Sequence, residues 1–188
     1  MKKVLHVGCG SATKAHTTAG FNNDAWQEVR FDIDPDCAPD IVGTIVDMSG
    51  VATGSIDAIF SSHNIEHVFP HEAPLALREF ARILTDDGFV VLTCPDLQSE
   101  CEAVAKNKLV DPLYQSPAGP IAPLDVLYGH RASVAAGKHY MAHKCGFTCS
   151  VLSQLFWPTA SWVLTADGAC RRLIFGSWPA SGDRPKPN

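Results

Sequence analysis

The stretch Lys3-Val-Leu-His-Val-Gly-Cys-Gly-Ser-Ala-Thr13 decides the fold. Its apolar run, Val4, Leu5 and Val7, reads as a strand buried on both faces, as strands are in parallel sheets covered by helices. The run breaks at Gly8-Cys9-Gly10, where two residues without side chains let a ligand approach the backbone closely. A strand that ends in a Gly-x-Gly turn is a nucleotide-site signal. Alone it is weak, so the other parts of such a site have to be found downstream.

Working outward, Ser11 to Ala19 is expected to form a helix, and Trp26 to Asp32 alternates like a second strand that ends on a carboxylate. Further apolar strands are expected at Ile41 to Val46, ending at Asp47-Met48, at Ile56 to Phe60, ending at Ser61-Ser62-His63, and at Phe89 to Cys94. Between the last two, residues 72–84 carry the clearest 3.6-residue apolar period in the chain. A further helix is expected over 98–106. Pro112, Pro117, Pro120 and Pro123 mark residues 107–147 as an insertion with little regular structure, and loops of that length are commonly functional. A short helix over 148–156 and a hairpin of 161–165 with 172–176 follow, and the tail 179–188 is expected to fray. The prediction is one α/β domain over 1–178, with parallel strands, right-handed crossovers and helices on both faces.

Ligands in such sheets bind beyond the carboxyl ends of the strands. Asp32 stands 22 residues after Gly10, where a carboxylate can accept both hydroxyl protons of a ribose. A dinucleotide site would require a third glycine where Thr13 stands, so an adenosyl ligand without a pyrophosphate fits better.

Four segments together resemble the class I S-adenosylmethionine-dependent methyltransferases. They are Val-Leu-His-Val-Gly-Cys-Gly, Val-Arg-Phe-Asp-Ile-Asp-Pro, Ile-Asp-Ala-Ile-Phe-Ser-Ser-His-Asn-Ile-Glu-His, and the run from Glu79 to Asp96. The resemblance spans about residues 3 to 97. It implies a Rossmann-like, mostly parallel seven-stranded sheet of order 3-2-1-4-5-7-6 with the last strand antiparallel, and S-adenosylmethionine as cofactor. Carried over by position, Gly8, Cys9 and Gly10 meet the methionine part, Asp32 the ribose and Ile33 the adenine. Asp47 takes the adenine amino group, Met48 gives a backbone contact and an apolar wall, and Ser62 and His63 line the methionine end. His6 stands where the family often has an acidic residue that helps hold the cofactor's amino group. No helix is readable ahead of the first strand, which leaves the 107–147 insertion as the expected lid.

For a hydroxyl acceptor a general base is useful, and an imidazole has its ordinary pKa nearest neutrality. His63 and His67 are the catalytic candidates, with His130, His139 and His143 as substrate-side candidates from the insertion. The i, i+4 spacings of His63, His67 and His71 and of His139 and His143 lack the form of a zinc motif, so no metal is expected. The seven cysteines are unframed and read as reduced thiols of a cytoplasmic protein. Net charge is -5 and the 15 Lys and Arg are dispersed, which argues against nucleic acid as a partner. No run is long enough to span a bilayer. A small-molecule methyl acceptor is the leading expectation, and oligomeric state is not readable. The alternatives are a non-catalytic binder of S-adenosylmethionine or S-adenosylhomocysteine and, less well supported, a nicotinamide-dependent oxidoreductase.

Overall fold

The computed structural model describes residues 1–116, 118–155, 161–164 and 169–173. Its main sheet contains β1 (Lys2–Val7), β2 (Trp26–Asp32), β3 (Ile41–Val42), β4 (Ile56–Ser62) and β5 (Leu84–Pro95). A small hairpin, β6 (Tyr114–Ser116) with β7 (Gly119–Ile121), stands apart, and β8 (Ser161–Leu164) and β9 (Ala169–Leu173) complete the main sheet. The order is β3-β2-β1-β4-β5-β9-β8, and β9 alone runs antiparallel to both its neighbours. This is the expected seven-stranded order, with the small hairpin taking two numbers.

Register explains the buried pattern. Leu5 lies between Val29 and Ile59, and His6 between Arg30 and Phe60, so successive residues serve opposite faces. One face carries Leu5, Val7, Ile59, Val90 and Leu92 in the main core. Helix α1 (Ala73–Ile83) closes it with Ala73, Ala76, Phe80 and Ile83, spaced along one side of the helix. Leu75, expected in that stripe, points outward. At the end of α1 the chain turns directly into β5. Ile56 pairs with Leu84 and Ala58 with Phe89, so Thr85 to Gly88, which include the turn expected at Asp86-Asp87-Gly88, bulge out opposite Asp57.

The second face differs from expectation. Its apolar cluster is Val4, Phe21, Ala58, Phe60 and Val91, with Trp26 and Phe89 alongside, and draws nothing from any α-helix among the described residues. The expected helix over 11–19 is only a three-residue 3-10 turn, Lys14–His16. Gly10 at one end and Gly20 at the other leave too few residues to repay helix nucleation. Phe21 fills the space instead, stacked on Phe89 and edge-on to Trp26 and Phe60.

Three further expectations are corrected. The third strand has two residues rather than six, because Gly43 packs against the Phe31 ring and Thr44 bridges to Asp47 in a tight turn. The 107–147 insertion is structured, containing β6, β7, α3 (Pro123–Tyr128) and α4 (Arg131–Ala135). A Gly-Pro dipeptide and Pro123 serve there as a strand edge and a helix first turn rather than as breakers. Finally β9 begins at Ala169, earlier than its apolar pattern suggests. Helix α2 (Leu97–Ala105) and α5 (Cys149–Leu155) fall close to expectation. Phe156, Thr165, 166–168, 174–176 and the tail 179–188 lie outside the described residues. No helix among the described residues is long and apolar enough to cross a membrane.

Helix α2 carries a measurable strain. Glu100 is 9% exposed, Oε2 has no partner, and burial with the nearby Asp96 carboxylate raises its pKa. A raised carboxyl pKa weakens the fold as pH climbs through it. Glu100→Gln should therefore raise the melting temperature at pH 8, and the gain over wild type should shrink toward pH 4, as read by thermal denaturation.

Candidate functional site

The carboxyl ends of β1 and β2 are built as one unit. Gly8 and Gly10 hold φ of +64° and +51°, and a Cβ on Gly8 would lie 2.8 Å from the Asn64 side chain. Both Gly8 N–H and Cys9 N–H donate to the carbonyl of Phe31. Gly10 N–H donates to Asp32 Oδ2 at 2.7 Å, and Asp34 N–H to Asp32 Oδ1 at 2.9 Å. Arg30 then ties the two loops through four carbonyls, those of Gly10 and Ala12 on one side and Cys37 and Ala38 on the other. Each Asp32 oxygen keeps a lone pair beyond its backbone partner. Cys9 is buried and its thiol is pushed up to about 11, mainly by desolvation, which makes it a packing residue rather than a nucleophile.

Toward the carboxyl ends of β4 and β5, on the face whose apolar cluster draws on no α-helix among the described residues, lies a cavity of about 190 Å³. His16, Thr17 and Thr18 wall one side, and Ser62, His63 and Thr93 the other, with Phe60 below. Ser62 and Thr93 share a hydroxyl hydrogen bond of 2.8 Å across β4 and β5. His63 has φ of +52° and a side chain 49% exposed, at the mouth of the cavity. His6 faces this side too, with Nδ1 2.8 Å from Glu28 Oε1 and its ring edge-on to Phe60. An imidazole that replaces an acid here has thus brought its own carboxylate on the adjacent strand.

The insertion closes over the strand ends at two places. Tyr140 donates its hydroxyl to Asp34 Oδ2 at 2.5 Å, and Lys138 Nζ reaches the same oxygen at 3.2 Å. The Tyr140 hydroxyl, then the Asp36 N–H, hold the Asp34 carboxyl down to about 2. On the other side, Lys144 and Cys145 N–H donate to the carbonyl of Glu66 in the turn after β4. Within the insertion, Gly129 pairs with Ala142 so closely that a Cβ would meet Met141 O, and its φ of +95° bars most other residues.

Residues 5–92 match the family model described as a methyltransferase domain. A protein from Pyrococcus horikoshii OT3 shares the fold at TM-score 0.60 and 13% identity, over 93% of this chain and 82% of its own. A SAM-dependent methyltransferase from Methanosarcina mazei does so at TM-score 0.54 and 14% identity, over 93% of this chain and 91% of its own. The fold is that of the class I S-adenosylmethionine-dependent methyltransferases. A methyltransferase domain on this fold implies S-adenosylmethionine as its cofactor. Among curated protein sequences none matches at a significant level.

Against that methyltransferase frame, the structure brings Gly8, Cys9, Gly10, Asp32, Ser62 and His63 to one end of the sheet. Ile33 follows Asp32 with 51% of its surface exposed. Met48 does not present the wall or backbone contact expected. It is fully buried, its N–H donates to Glu79 Oε2, and its carbonyl accepts from Arg82. Asp47 is exposed and caps Ser49 N–H. His67 and His143 stack edge to face 4.8 Å apart, whereas His130 bonds Ser133 in its own segment and His139 is exposed. Sequence reasoning missed Arg30, His16 and Asn64. Only Asn64 left a signal, as the polar residue in the middle of Ser-His-Asn-Ile-Glu-His.

The Asp34 latch has a defined pH range. A carboxyl held below its ordinary value adds stability above about pH 4 and gives it up as pH falls toward about 2. Asp34→Ala should speed amide exchange at residues 138–142 severalfold at pH 7, whereas wild type should keep its protection from pH 7 to pH 5 once intrinsic rates are divided out.

Proposed function

We propose that this protein transfers a methyl group from S-adenosylmethionine to a small-molecule acceptor. One observation carries the reading: the Gly10 N–H to Asp32 bond joins a glycine turn to a ribose-type acceptor at the end of the sheet where β4 and β5 also line a cavity. The residues present fit the cofactor. Asp32 has lone pairs free for two hydroxyls, Gly10 has open space where a Cβ would stand, and Ile33 is half exposed. Asn64 Nδ2 is a buried donor without a partner, set against Gly8, and suits a carboxylate at the methionine end.

When bound, the cofactor supplies a methyl group activated by a sulfonium. The chain's part is to align an acceptor with it and to exclude water, which can supply much of the rate without a dedicated base. Ser62 and Thr93 line the cavity with hydroxyls that can orient a polar acceptor. His63, at its mouth, is the side chain placed to take a proton from a hydroxyl acceptor. His67 is not among the residues that line the cavity, and its ring packs edge-on against His143. His143 is turned to the Val126 carbonyl, and burial lowers its pKa. A cavity of this size suits a small acceptor, and the net charge of -5 disfavours a polyanion. A three-residue 3-10 turn after the glycines gives no helix dipole for a pyrophosphate, which weakens the nicotinamide reading.

Calorimetric titration with S-adenosylmethionine, S-adenosylhomocysteine and NAD tests the reading. The two adenosyl ligands should bind and NAD should not; failure of both adenosyl ligands would overturn it. Asp32→Ala and Arg30→Ala should each weaken binding by about tenfold or more, Asp32 by losing contacts and Arg30 by releasing the loops. Turnover of labelled cofactor on a panel of small acceptors then decides catalysis, because binding that persists without transfer would make the protein a sensor.

A further inference from the structure

Behind the mouth of the cavity three side chains converge that methyl transfer does not use. Glu66 sits in the 3-10 turn Ile65–His67 after β4, 1% exposed, and neither carboxylate oxygen has a hydrogen-bond partner. A buried carboxylate is costly unless it is paired or coordinates a metal. His67 comes from the same turn and His143 from the insertion, and one ligand atom from each of the three lies within 4.8 Å of the other two. Both imidazoles turn Nδ1 to a backbone carbonyl, His67 to Ala142 at 3.2 Å and His143 to Val126 at 2.6 Å. A carbonyl only accepts, so the proton sits on Nδ1 and the Nε2 lone pair is left free. That outer hydrogen bond is the one that orients a metal-bound histidine. Beside Glu66 and His143 is a space of about 10 Å³, close to the size of one water or ion.

We propose that Glu66, His67 and His143 bind a first-row divalent transition-metal ion, with zinc as the reference, and that the ion clips the insertion to the exit of β4. Two imidazoles and one carboxylate suit such ions, whereas magnesium and calcium favour all-oxygen shells. Bonds of about 2.1 Å in a tetrahedral shell bring ligand atoms to roughly 3.4 Å apart. The three groups therefore draw in slightly on binding. Three protein ligands leave a fourth position for water, and His63 Nδ1 lies 3.5 Å from Glu66 Oε1.

The test uses the whole protein, stripped with a chelator and kept reduced, without S-adenosylmethionine, so its outcome is independent of the methyl-transfer reading. Calorimetry should show one equivalent of Zn²⁺, with Mg²⁺ about tenfold weaker or more. Co²⁺ should give a visible spectrum without a thiolate charge-transfer band, which separates this site from the cysteines. Glu66→Gln and His143→Asn should each weaken Zn²⁺ binding by about tenfold or more, and Cys101→Ser, at an exposed thiol, should not. Zn²⁺ should also slow amide exchange at 124–128 and 142–145 in wild type and not in Glu66→Gln. Circular dichroism reports whether the variants fold; if one does not, the other decides, and the wild-type Co²⁺ spectrum needs neither. Absence of a stoichiometric Zn²⁺ site, a thiolate band, or equal binding in wild type and both folded variants would overturn the proposal.

Discussion

One guanidinium holds the cofactor end of this protein together. Arg30 donates to the carbonyls of Gly10, Ala12, Cys37 and Ala38, two from the turn after β1 and two from the loop after β2. The loop after β2 has only the 3-10 turn Pro35–Cys37, whose last carbonyls it leaves free, and charged hydrogen bonds to otherwise orphaned carbonyls are among the stronger ones. With the loops fixed, Gly10 N–H meets Asp32, and the Asp32 carboxylate is held by backbone N–H groups from both loops. Everything else in the site is arranged around that pair. The clamp matters more because only the 3-10 turn Lys14–His16, and no long helix, follows the glycine turn to brace it.

What could be read from sequence and what could not divide along physical lines. Apolar runs ending in glycine or a carboxylate are local signals, and they placed β1, β2, β4 and β5 and located Gly8, Gly10 and Asp32. Short pieces were harder. Two residues of β3 and a three-residue 3-10 turn do not differ in period from a strand or helix that stops early. Met48 was assigned by position along the chain, yet Glu79 and Arg82 on α1 take its backbone groups. Arg30 gave no signal, since its partners are carbonyls, which every residue has.

The histidines show the same limit. Spacing along the chain compares neighbours at i and i+4, and by that measure His67 belonged with His63 and His71. Folding joins it instead to Glu66 and to His143 on the insertion. Residues 107–147 looked unstructured because their prolines were counted as breakers, but Pro123 opens α3 and Pro120 lies within the β6–β7 hairpin. Composition describes what a segment disfavours; it does not show which tertiary contacts make the segment worth ordering.

The Gly129–Ala142 pairing has a mechanical consequence. It closes the chain between those two residues into a ring, with α4 and the Lys138–Tyr140 tip inside it. A ring cannot unroll from one end as an open loop does, so release of Asp34 frees the tip while its base stays shut. The tip and the base of this segment are therefore held by separate contacts, one to the loop after β2 and one within the insertion.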